Sequence, residues 1–317
     1  MGDAILDVDL LAFERGGAAA RRATIDGVRT SLASGFVYTS HDIAEGMIDE
    51  AYGMLATFFA LSEEVKRTYT DPQAHGQTGY TGVLVEQAAG SDEPDWKEML
   101  NWGQQLPAGH PLRSRYPHRY RDPLLPEADV PGITAVLGTF HDQLLELQRR
   151  FLRIVALGLG CTERFFDELL RDGPTLSRAI RYPPMTGAPS KAHVWAAAHA
   201  DINLITALPR ASSPGLEVRT ADGWVSAVAP SGSVILNAGL MLDRLSNGRI
   251  PAAVHRVVAA PGVVEERYSV VQFSHPAPWT ILAPLATCID ADTPLRYGPI
   301  EAGALLDRTL WEINLLG

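Results

Sequence analysis

The sequence contains the segment Ala198-His199-Ala200-Asp201-Ile202-Asn203, and an apolar run at residues 204–208 follows it directly. In an extended backbone, successive side chains point to opposite faces, so His199 and Asp201 point in the same direction. An imidazole and a carboxylate on one face can bind a single metal ion. The segment therefore carries a candidate pair of metal ligands in an extended region of the chain.

The surrounding sequence contains more short runs of the same kind. From about residue 177 onward, runs rich in β-branched residues are separated by turns that contain proline and glycine. Helical patterns do not separate these runs, which favours an antiparallel sandwich or barrel over a parallel α/β sheet. We predict strands at residues 204–208, 216–219, 224–228, 233–237, 252–258 and 267–273.

Helical patterns flank this β-rich region on both sides. We take Asp42 as an N-cap, because an acid follows three residues later and apolar positions continue at helical spacing through Phe59. An apolar stripe at residues 133–159 predicts a helix that faces the core, and a further helical pattern covers residues 300–316. Residues 72–131 are rich in Gly, Pro and His, which predicts loops and short strands near a site.

Composition and charge exclude several classes of function. Hydrophobic residues make up 46% of the 317 residues and charged residues 20%, which is ordinary for a globular protein with a substantial core. The net charge of −10 comes from 37 acidic and 27 basic residues, and no cluster of Lys or Arg stands out. Nucleic acid is therefore not an expected partner.

Two further features bear on the cellular compartment. Cys161 and Cys288 are too few and too far apart in sequence for a disulfide framework or a cysteine metal site. The first residues, Met1-Gly-Asp-Ala-Ile-Leu-Asp, do not resemble a secretory signal, and no stretch approaches the roughly 20 apolar residues that cross a bilayer. We expect a cytoplasmic protein without a membrane partner, and the sequence leaves its oligomeric state open.

A second imidazole completes a candidate metal site. His255 lies in Val254-His255-Arg256-Val257-Val258, within another predicted strand. Two histidines and one carboxylate on one face of an octahedral ion leave three positions open, which is the ligand set of Fe(II) oxygen chemistry. A lone His-x-Asp pattern is more often structural or at the surface, so this interpretation depends on companion motifs.

One companion motif is the pair Arg267 and Ser269. Strand alternation places both side chains on one face, where a guanidinium and a hydroxyl match the two oxygens of a carboxylate. An arginine near the end of a strand is ordinarily a solvated charge. Combined with the metal motif, the pair predicts a pocket with a metal at one end and a carboxylate anchor at the other.

Taken together, these motifs resemble the isopenicillin N synthase-like family of Fe(II)- and 2-oxoglutarate-dependent oxygenases. The resemblance rests on six motifs in family order: Arg181-Tyr-Pro-Pro, His199-Ala-Asp201, Gly215-Leu-Glu-Val, Leu245-Ser-Asn-Gly-Arg, His255-Arg-Val and Arg267-Tyr-Ser269. It extends more weakly into the N-terminal part through Gly35-Phe-Val-Tyr, Gly79-Tyr80 and Asp95-Trp-Lys-Glu98. Nearly the whole chain is covered.

The resemblance implies a mainly β fold with flanking α-helices. Its core would be a double-stranded β-helix, or jelly roll, with an N-terminal helical region and a C-terminal helix packed outside. On this basis residues 1–176 form the N-terminal helical and loop region of one catalytic unit, residues 177–285 the jelly-roll core, and residues 286–317 a C-terminal helical segment. The three metal ligands would converge from different strands at the mouth of the core.

The resemblance also implies the cosubstrate and the type of reaction. Arg267 and Ser269 match family residues that bind the distal carboxylate of 2-oxoglutarate, and Tyr182 matches a tyrosine that assists them. Tyr182 is equally compatible with an aromatic residue packed before a Pro-Pro turn. Ile180 departs from the family, in which this position is frequently Asn. The implied enzyme uses O₂ to oxidise a small molecule by hydroxylation, desaturation or cyclisation.

The residues that contact the substrate are less defined. Candidates from the motif neighbours and the loop are Tyr80, Lys97, Arg181, Trp195, Asn203, Phe273 and His275. The polar ones would suit a substrate with a carboxylate or amine, such as an amino acid or natural-product intermediate. His193 and His275 are not expected to bind metal, because neither shares the strand spacing with a carboxylate.

Three alternative functions remain at this point. The first is an Fe(II) oxidase of the same family that works without 2-oxoglutarate, as isopenicillin N synthase does. The second is a cupin-like metal enzyme without oxidative chemistry, and the third is a catalytically silent jelly-roll binding protein. Formation of succinate from 2-oxoglutarate would separate the expected enzyme from all three.

Overall fold

The computed structural model of the chain describes residues 5–87, 92–190, 192–259 and 264–312. Its helices are α1 Leu10–Arg15, α2 Ala18–Ser31, α3 Glu45–Phe59, α4 Glu63–Arg67, α5 Pro111–Arg115, α6 Ile133–Gly158, α7 Phe165–Leu170, α8 Leu240–Leu245 and α9 Ala302–Glu312. The predicted helices at residues 133–159 and 300–316 correspond to α6 and α9, although the end of the latter prediction lies outside the described residues. Residues 88–91 of the predicted loop region also lie outside them.

Two sheets form the centre of the molecule. Their strands, with a separate short pair near the C-terminal helix, are β1 Asp7–Val8, β2 Phe36–Ser40, β3 Gly79–Thr81, β4 Glu98–Gly103, β5 Leu176–Tyr182, β6 Ala196–His199, β7 Ile205–Leu208, β8 Leu216–Thr220, β9 Gly223–Ser226, β10 Ser233–Ala238, β11 His255–Val257, β12 Arg267–Ser274, β13 Ile281–Leu282 and β14 Ile300–Glu301. The large sheet has the order β1-β2-β10-β7-β12-β5-β4-β3, and the small sheet has the order β6-β11-β8-β9. All six predicted strands are present, within a few residues at their ends.

The two sheets enclose one apolar interior and the helices cover a second. Side chains from both sheets pack together between them, including Ile180 and Val271 from the large sheet and Leu216 and Val257 from the small one. The opposite face of the large sheet packs on α3 and α6. This is the jelly-roll core with flanking helices that the sequence predicts.

The start of α3 differs from the prediction. The helix begins at Glu45 with Ala44 as its N-cap, so the predicted N-cap at Asp42 is wrong. The Asp42 carboxylate instead accepts a hydrogen bond of 2.7 Å from the guanidinium of Arg150 on α6. The Asp42 side chain therefore forms a long-range ion pair with Arg150 and does not cap the helix.

Strand alternation sorts the residues of β5 and β12 onto two faces. These strands are antiparallel neighbours, with Arg267 opposite Tyr182 and Tyr268 opposite Arg181. Arg267 and Tyr182 point into the space between the sheets, whereas Arg181 and Tyr268 point outward toward the N-terminal elements. The N-terminal part of the chain also supplies β1 to β4 to the same sheet.

One further finding concerns membranes. Within the described parts of the chain, no helix combines the length and the apolar character that a membrane-spanning helix requires.

Candidate metal centre and active site

Three side chains that the sequence predicts as metal ligands lie together in the structure. His199 ends β6, Asp201 follows two residues later, and His255 begins β11 directly opposite His199. The His199 Nε2 atom lies 3.8 Å from Asp201 Oδ1, and the His255 Nε2 atom lies 4.0 Å from the same oxygen. One donor atom from each residue falls within 4.8 Å of the other two, which is the spacing that a shared metal ion requires.

Backbone carbonyl groups fix the orientation of both imidazoles. The Nδ1 atom of His199 lies 2.8 Å from the carbonyl oxygen of Ala197, and that of His255 lies 2.9 Å from the carbonyl oxygen of Ala253. A carbonyl can only accept, so each Nδ1 carries the proton and each Nε2 keeps its lone pair. Both free lone pairs are thus available to a metal ion, as is usual for histidine ligands.

The two oxygens of the Asp201 carboxylate have different surroundings. Its Oδ2 atom accepts hydrogen bonds from Thr206 Oγ1 at 2.5 Å and from Asn237 Nδ2 at 2.8 Å. Its Oδ1 atom is the one that faces the two imidazoles. Burial alone would raise the pKa of Asp201, but the two imidazoles and the two hydrogen bonds together lower it. The carboxylate therefore stays ionised, as a metal ligand must.

This donor set fits Fe(II). Two neutral imidazoles and one carboxylate match the facial arrangement of non-haem Fe(II) oxygenases, which leaves positions open for other ligands. The aromatic edge of Phe36 packs on His255, with ring centroids 5.8 Å apart, and limits the movement of that imidazole. The residues present therefore suit the metal on chemistry and on orientation.

Arg267 is a buried cation without a buried anion. Its side chain is 1% exposed, its Nε donates to the Ser213 carbonyl at 3.0 Å, and its Nη1 donates to Ser269 Oγ at 3.2 Å. The guanidinium lies 5.0 Å from the centroid of the Tyr182 ring. Among the described residues no carboxylate pairs with it, although it borders a cavity of about 440 Å³. Arg267, Ser269 and Tyr182 thus form a cradle that suits a ligand carboxylate.

A separate cavity of about 310 Å³ opens next to the metal residues. His199 and Asp201 form part of its wall, and Leu306, Thr309 and Leu310 of helix α9 form another part. Of the seven candidate substrate contacts, four line it: Lys97, Asn203, Phe273 and His275. The size and position of the cavity suit a small-molecule substrate beside the metal.

Comparison with known proteins settles the family. Residues 7–127 match the model described as non-haem dioxygenase in morphine synthesis N-terminal, and residues 174–276 match the 2OG-Fe(II) oxygenase superfamily. A 2OG-Fe(II) oxygenase family protein from Caulobacter crescentus is 32% identical, with 99% of this chain and 100% of that chain covered and a TM-score of 0.85. The chain belongs to the 2OG-Fe(II) oxygenase superfamily.

Other relatives are named as dioxygenases or were solved with alpha-KG bound. A full-length Neurospora crassa protein, solved in complex with alpha-KG and thymine, is 25% identical, covers 98% of this chain and 99% of its own, and has a TM-score of 0.82. Leucoanthocyanidin dioxygenase 2 of Oryza sativa subsp. japonica is 29% identical, over 87% of this chain and 72% of that protein. Mugineic-acid 3-dioxygenase of Hordeum vulgare is 27% identical, over 94% and 82% respectively.

The chain is a non-haem Fe(II)- and 2-oxoglutarate-dependent dioxygenase of the isopenicillin N synthase-like type. The resemblance drawn from the motifs is therefore confirmed, as are the jelly-roll fold and the cofactors Fe(II) and 2-oxoglutarate. A small organic molecule and O₂ are the substrates that this family implies.

The three remaining candidate substrate contacts, Tyr80, Arg181 and Trp195, lie away from the 310 Å³ cavity. Tyr80 donates to Glu98 Oε2 at 2.6 Å, and Arg181 binds the other oxygen of Glu98 at 2.5 Å, on the outward face of the large sheet. Trp195 is buried, donates to the Pro183 carbonyl at 2.9 Å and packs against Tyr182. Tyr80, Arg181 and Trp195 are not among the described residues that line the 310 Å³ cavity.

Charged groups form part of the cavity lining, and Lys97 is the one among them that the sequence predicts as a substrate contact. Glu86, Asp95, Lys97 and Arg178, which we call the polar wall, line the cavity and are joined by ion pairs. Burial would raise the pKa of Glu86, but Lys97 and Arg178 outweigh that effect and hold it at about 2. Arg178 was recognisable in principle, because it lies four residues before Tyr182 in β5 and therefore points to the same face.

His193 and His275 lie outside the metal cluster among the described residues. His193 Nδ1 lies 3.0 Å from the carbonyl of Pro94, next to Glu93. His275 Nδ1 lies 3.1 Å from the carbonyl of Phe273, and burial lowers the pKa of His275 to about 4. His275 is therefore a neutral part of the cavity wall at physiological pH.

Proposed function

We propose that this dioxygenase holds Fe(II) through His199, Asp201 and His255 and oxidises a small organic molecule bound in the 310 Å³ cavity. The observation that carries the proposal is the convergence of two Nε2 lone pairs on the open oxygen of a buried, hydrogen-bonded carboxylate. The oxidation is a hydroxylation, a desaturation or a ring closure, and these differ in how the substrate is placed rather than in the metal ligands.

The roles of the three ligands follow from their surroundings. Bound Fe(II) together with 2-oxoglutarate supplies activation of O₂, with succinate and CO₂ as coproducts. The carbonyls of Ala197 and Ala253 keep both imidazoles in the tautomer that binds metal. Thr206 and Asn237 hold the Asp201 carboxylate at a fixed angle, so the ligand atoms keep their positions through a catalytic cycle.

We assign the distal carboxylate of 2-oxoglutarate to Arg267 and Ser269, with Tyr182 beside them. A buried guanidinium without a protein carboxylate carries an uncompensated charge, which a ligand carboxylate neutralises. The planar guanidinium can donate two parallel hydrogen bonds to such a group. The ring of Tyr182 packs against the guanidinium and holds it in place.

The wider setting of the enzyme follows from the same features. We propose that residues 1–176, 177–285 and 286–317 work as one catalytic unit, because β1 to β4 join the large sheet and α9 lines the cavity. Neither a nucleic acid nor a membrane is proposed as a partner, in line with the net charge of −10. The two free cysteines support a cytoplasmic location.

The experiment that tests this function measures bound iron and succinate together. We expect His255→Ala and Asp201→Ala to lose Fe(II) binding and succinate formation while keeping the wild-type circular dichroism spectrum. His193→Ala and His275→Ala serve as controls and should keep wild-type iron content, because neither imidazole reaches the cluster. Wild-type iron content in His255→Ala, or a large loss of iron in either control, would overturn the assignment.

A further inference from the structure

The four side chains of the polar wall neutralise one another through ion pairs. The Lys97 Nζ atom lies 2.8 Å from Asp95 Oδ2 and 3.2 Å from Glu86 Oε2, so one ammonium holds two carboxylates. The Arg178 Nη1 atom lies 3.3 Å from Glu86 Oε1, and its Nε donates to Asn101 Oδ1 at 2.7 Å. Two cations and two carboxylates therefore face the cavity with no formal charge left over.

These four side chains are largely shielded from solvent. Their exposed fractions are 2% for Asp95, 7% for Lys97, 10% for Arg178 and 12% for Glu86. Water screens such buried charges poorly, so each depends on its protein partner. An anionic ligand would have to compete with Glu86 or Asp95 for a cation, and would leave one of them unpaired.

The cavity also has an apolar part. Leu240, Phe273, Leu306 and Leu310, which we call the apolar wall, line it as well, and the last two come from helix α9. The Arg178 guanidinium lies 5.5 Å from the centroid of the Phe273 ring, which joins the two walls at one edge. His275, which also lines the cavity, is uncharged at physiological pH.

We infer that the primary substrate is an uncharged molecule with an amide-like or hydroxylated polar edge, bound between the polar wall and the apolar wall. This inference rests on the proposed function, because it assigns the cavity beside His199 to the substrate. Neutral donors and acceptors can bind ion-paired groups without separating them, whereas a carboxylate or ammonium cannot. The substrate class thus differs from the carboxylate or amine that the isolated residues suggest.

The test compares pairs of probes that have nearly the same shape, one neutral and the other charged. Benzamide and benzoate, and phenylacetamide and phenylacetate, are titrated by ligand-observed NMR into anaerobic protein loaded with Fe(II) and 2-oxoglutarate. The wild-type protein is expected to bind each amide at least about tenfold more tightly than the matching acid. Equal binding, or tighter binding of the acids, overturns the inference.

A variant of the polar wall should reverse this preference. Glu86→Gln keeps the shape of the side chain but leaves Arg178 and Lys97 with Asp95 as their remaining carboxylate. Benzoate should then gain at least about tenfold in affinity, because its carboxylate restores the charge balance. Glu217→Gln is the matched control, since Glu217 pairs with Arg256 away from the cavity, and it should keep the wild-type ranking. An unchanged ranking in Glu86→Gln contradicts the inference.

If Glu86→Gln does not fold, Lys97→Met gives the complementary test. Loss of the ammonium leaves the polar wall with excess negative charge, so benzylamine should bind at least about tenfold more tightly than benzamide. The absence of that change also contradicts the inference. Failure of the proposed function is distinguishable, because it appears as loss of the iron–2-oxoglutarate absorption band rather than as a change in probe ranking.

Discussion

Arg181 and Arg267 lie on neighbouring strands, yet their surroundings differ. Arg181 lies on the outward face of β5 and binds Glu98 at 2.5 Å and Glu266 at 2.7 Å. Arg267 lies on the inward face of β12, is 1% exposed, and has no carboxylate partner among the described residues. The protein neutralises Arg181, and we propose that a ligand carboxylate neutralises Arg267.

The presence or absence of a protein carboxylate distinguishes a structural arginine from one that can bind a ligand. A buried cation costs free energy unless an anion pairs with it. Glu98 meets that need for Arg181, and also for Lys66 at 2.7 Å, so this network stabilises the contact between the large sheet and the N-terminal helices. Arg267 has no carboxylate partner among the described residues, and we propose that 2-oxoglutarate supplies one.

The largest effect is expected from Arg267→Leu. Loss of one partner from a buried charge pair costs about 3 to 5 kcal/mol, so the KM for 2-oxoglutarate should rise by about two orders of magnitude or more. The measurement is succinate formation as a function of 2-oxoglutarate concentration. A KM within a few-fold of wild type would remove the distinction between the two arginines.

Ser269→Ala should have a smaller effect on the same constant. Ser269 accepts from Arg267 at 3.2 Å and supplies one hydroxyl to the cradle. Loss of one hydrogen bond to a charged group costs about 1.5 to 3 kcal/mol, and the KM for 2-oxoglutarate should rise accordingly. Ser274→Ala on the same strand is the control, because Ser274 donates to the Ile205 carbonyl instead and should leave this KM unchanged. Equal effects of the two changes would show that Ser269 acts through packing alone.

Arg181→Leu should change stability rather than cosubstrate binding. Glu98 would keep Lys66 and Tyr80 as partners, so we expect the free energy of unfolding to fall by about 1 to 3 kcal/mol. Urea denaturation measures this loss, and the KM for 2-oxoglutarate should stay at the wild-type value. An increase in that KM comparable to the one in Arg267→Leu would show that the outward network also serves the cosubstrate.

Much of the architecture and the metal site could be predicted from local sequence. Strand alternation places Arg267 with Ser269 inside β12, and the same spacing of two residues correctly predicted that His199 and Asp201 lie together, although Asp201 lies just beyond the end of β6. The order of the remaining motifs carries the family resemblance, and that resemblance implies the jelly roll. These features depend on short spacings, which a sequence displays directly.

The errors concern residues whose partners are distant in sequence. Asp42 pairs with Arg150 rather than capping α3, and Arg181 pairs with Glu98 rather than facing the cavity. Glu86 was missed as part of the polar wall because its partners Lys97 and Arg178 lie outside its local sequence, Arg178 by 92 residues. Local sequence patterns do not predict such contacts, because the packing of the whole chain determines them.

We propose that Arg267, and not Arg181, anchors 2-oxoglutarate beside the iron held by His199, Asp201 and His255. Its most direct test is anaerobic titration of the Fe(II) protein with 2-oxoglutarate, followed by the visible metal-to-ligand charge-transfer absorption. We predict a band in the wild-type protein that persists in Arg181→Leu and requires at least about a hundredfold more 2-oxoglutarate in Arg267→Leu. Equal titration curves for the two variants, or full substrate oxidation without any 2-oxo acid and without succinate, would contradict the account.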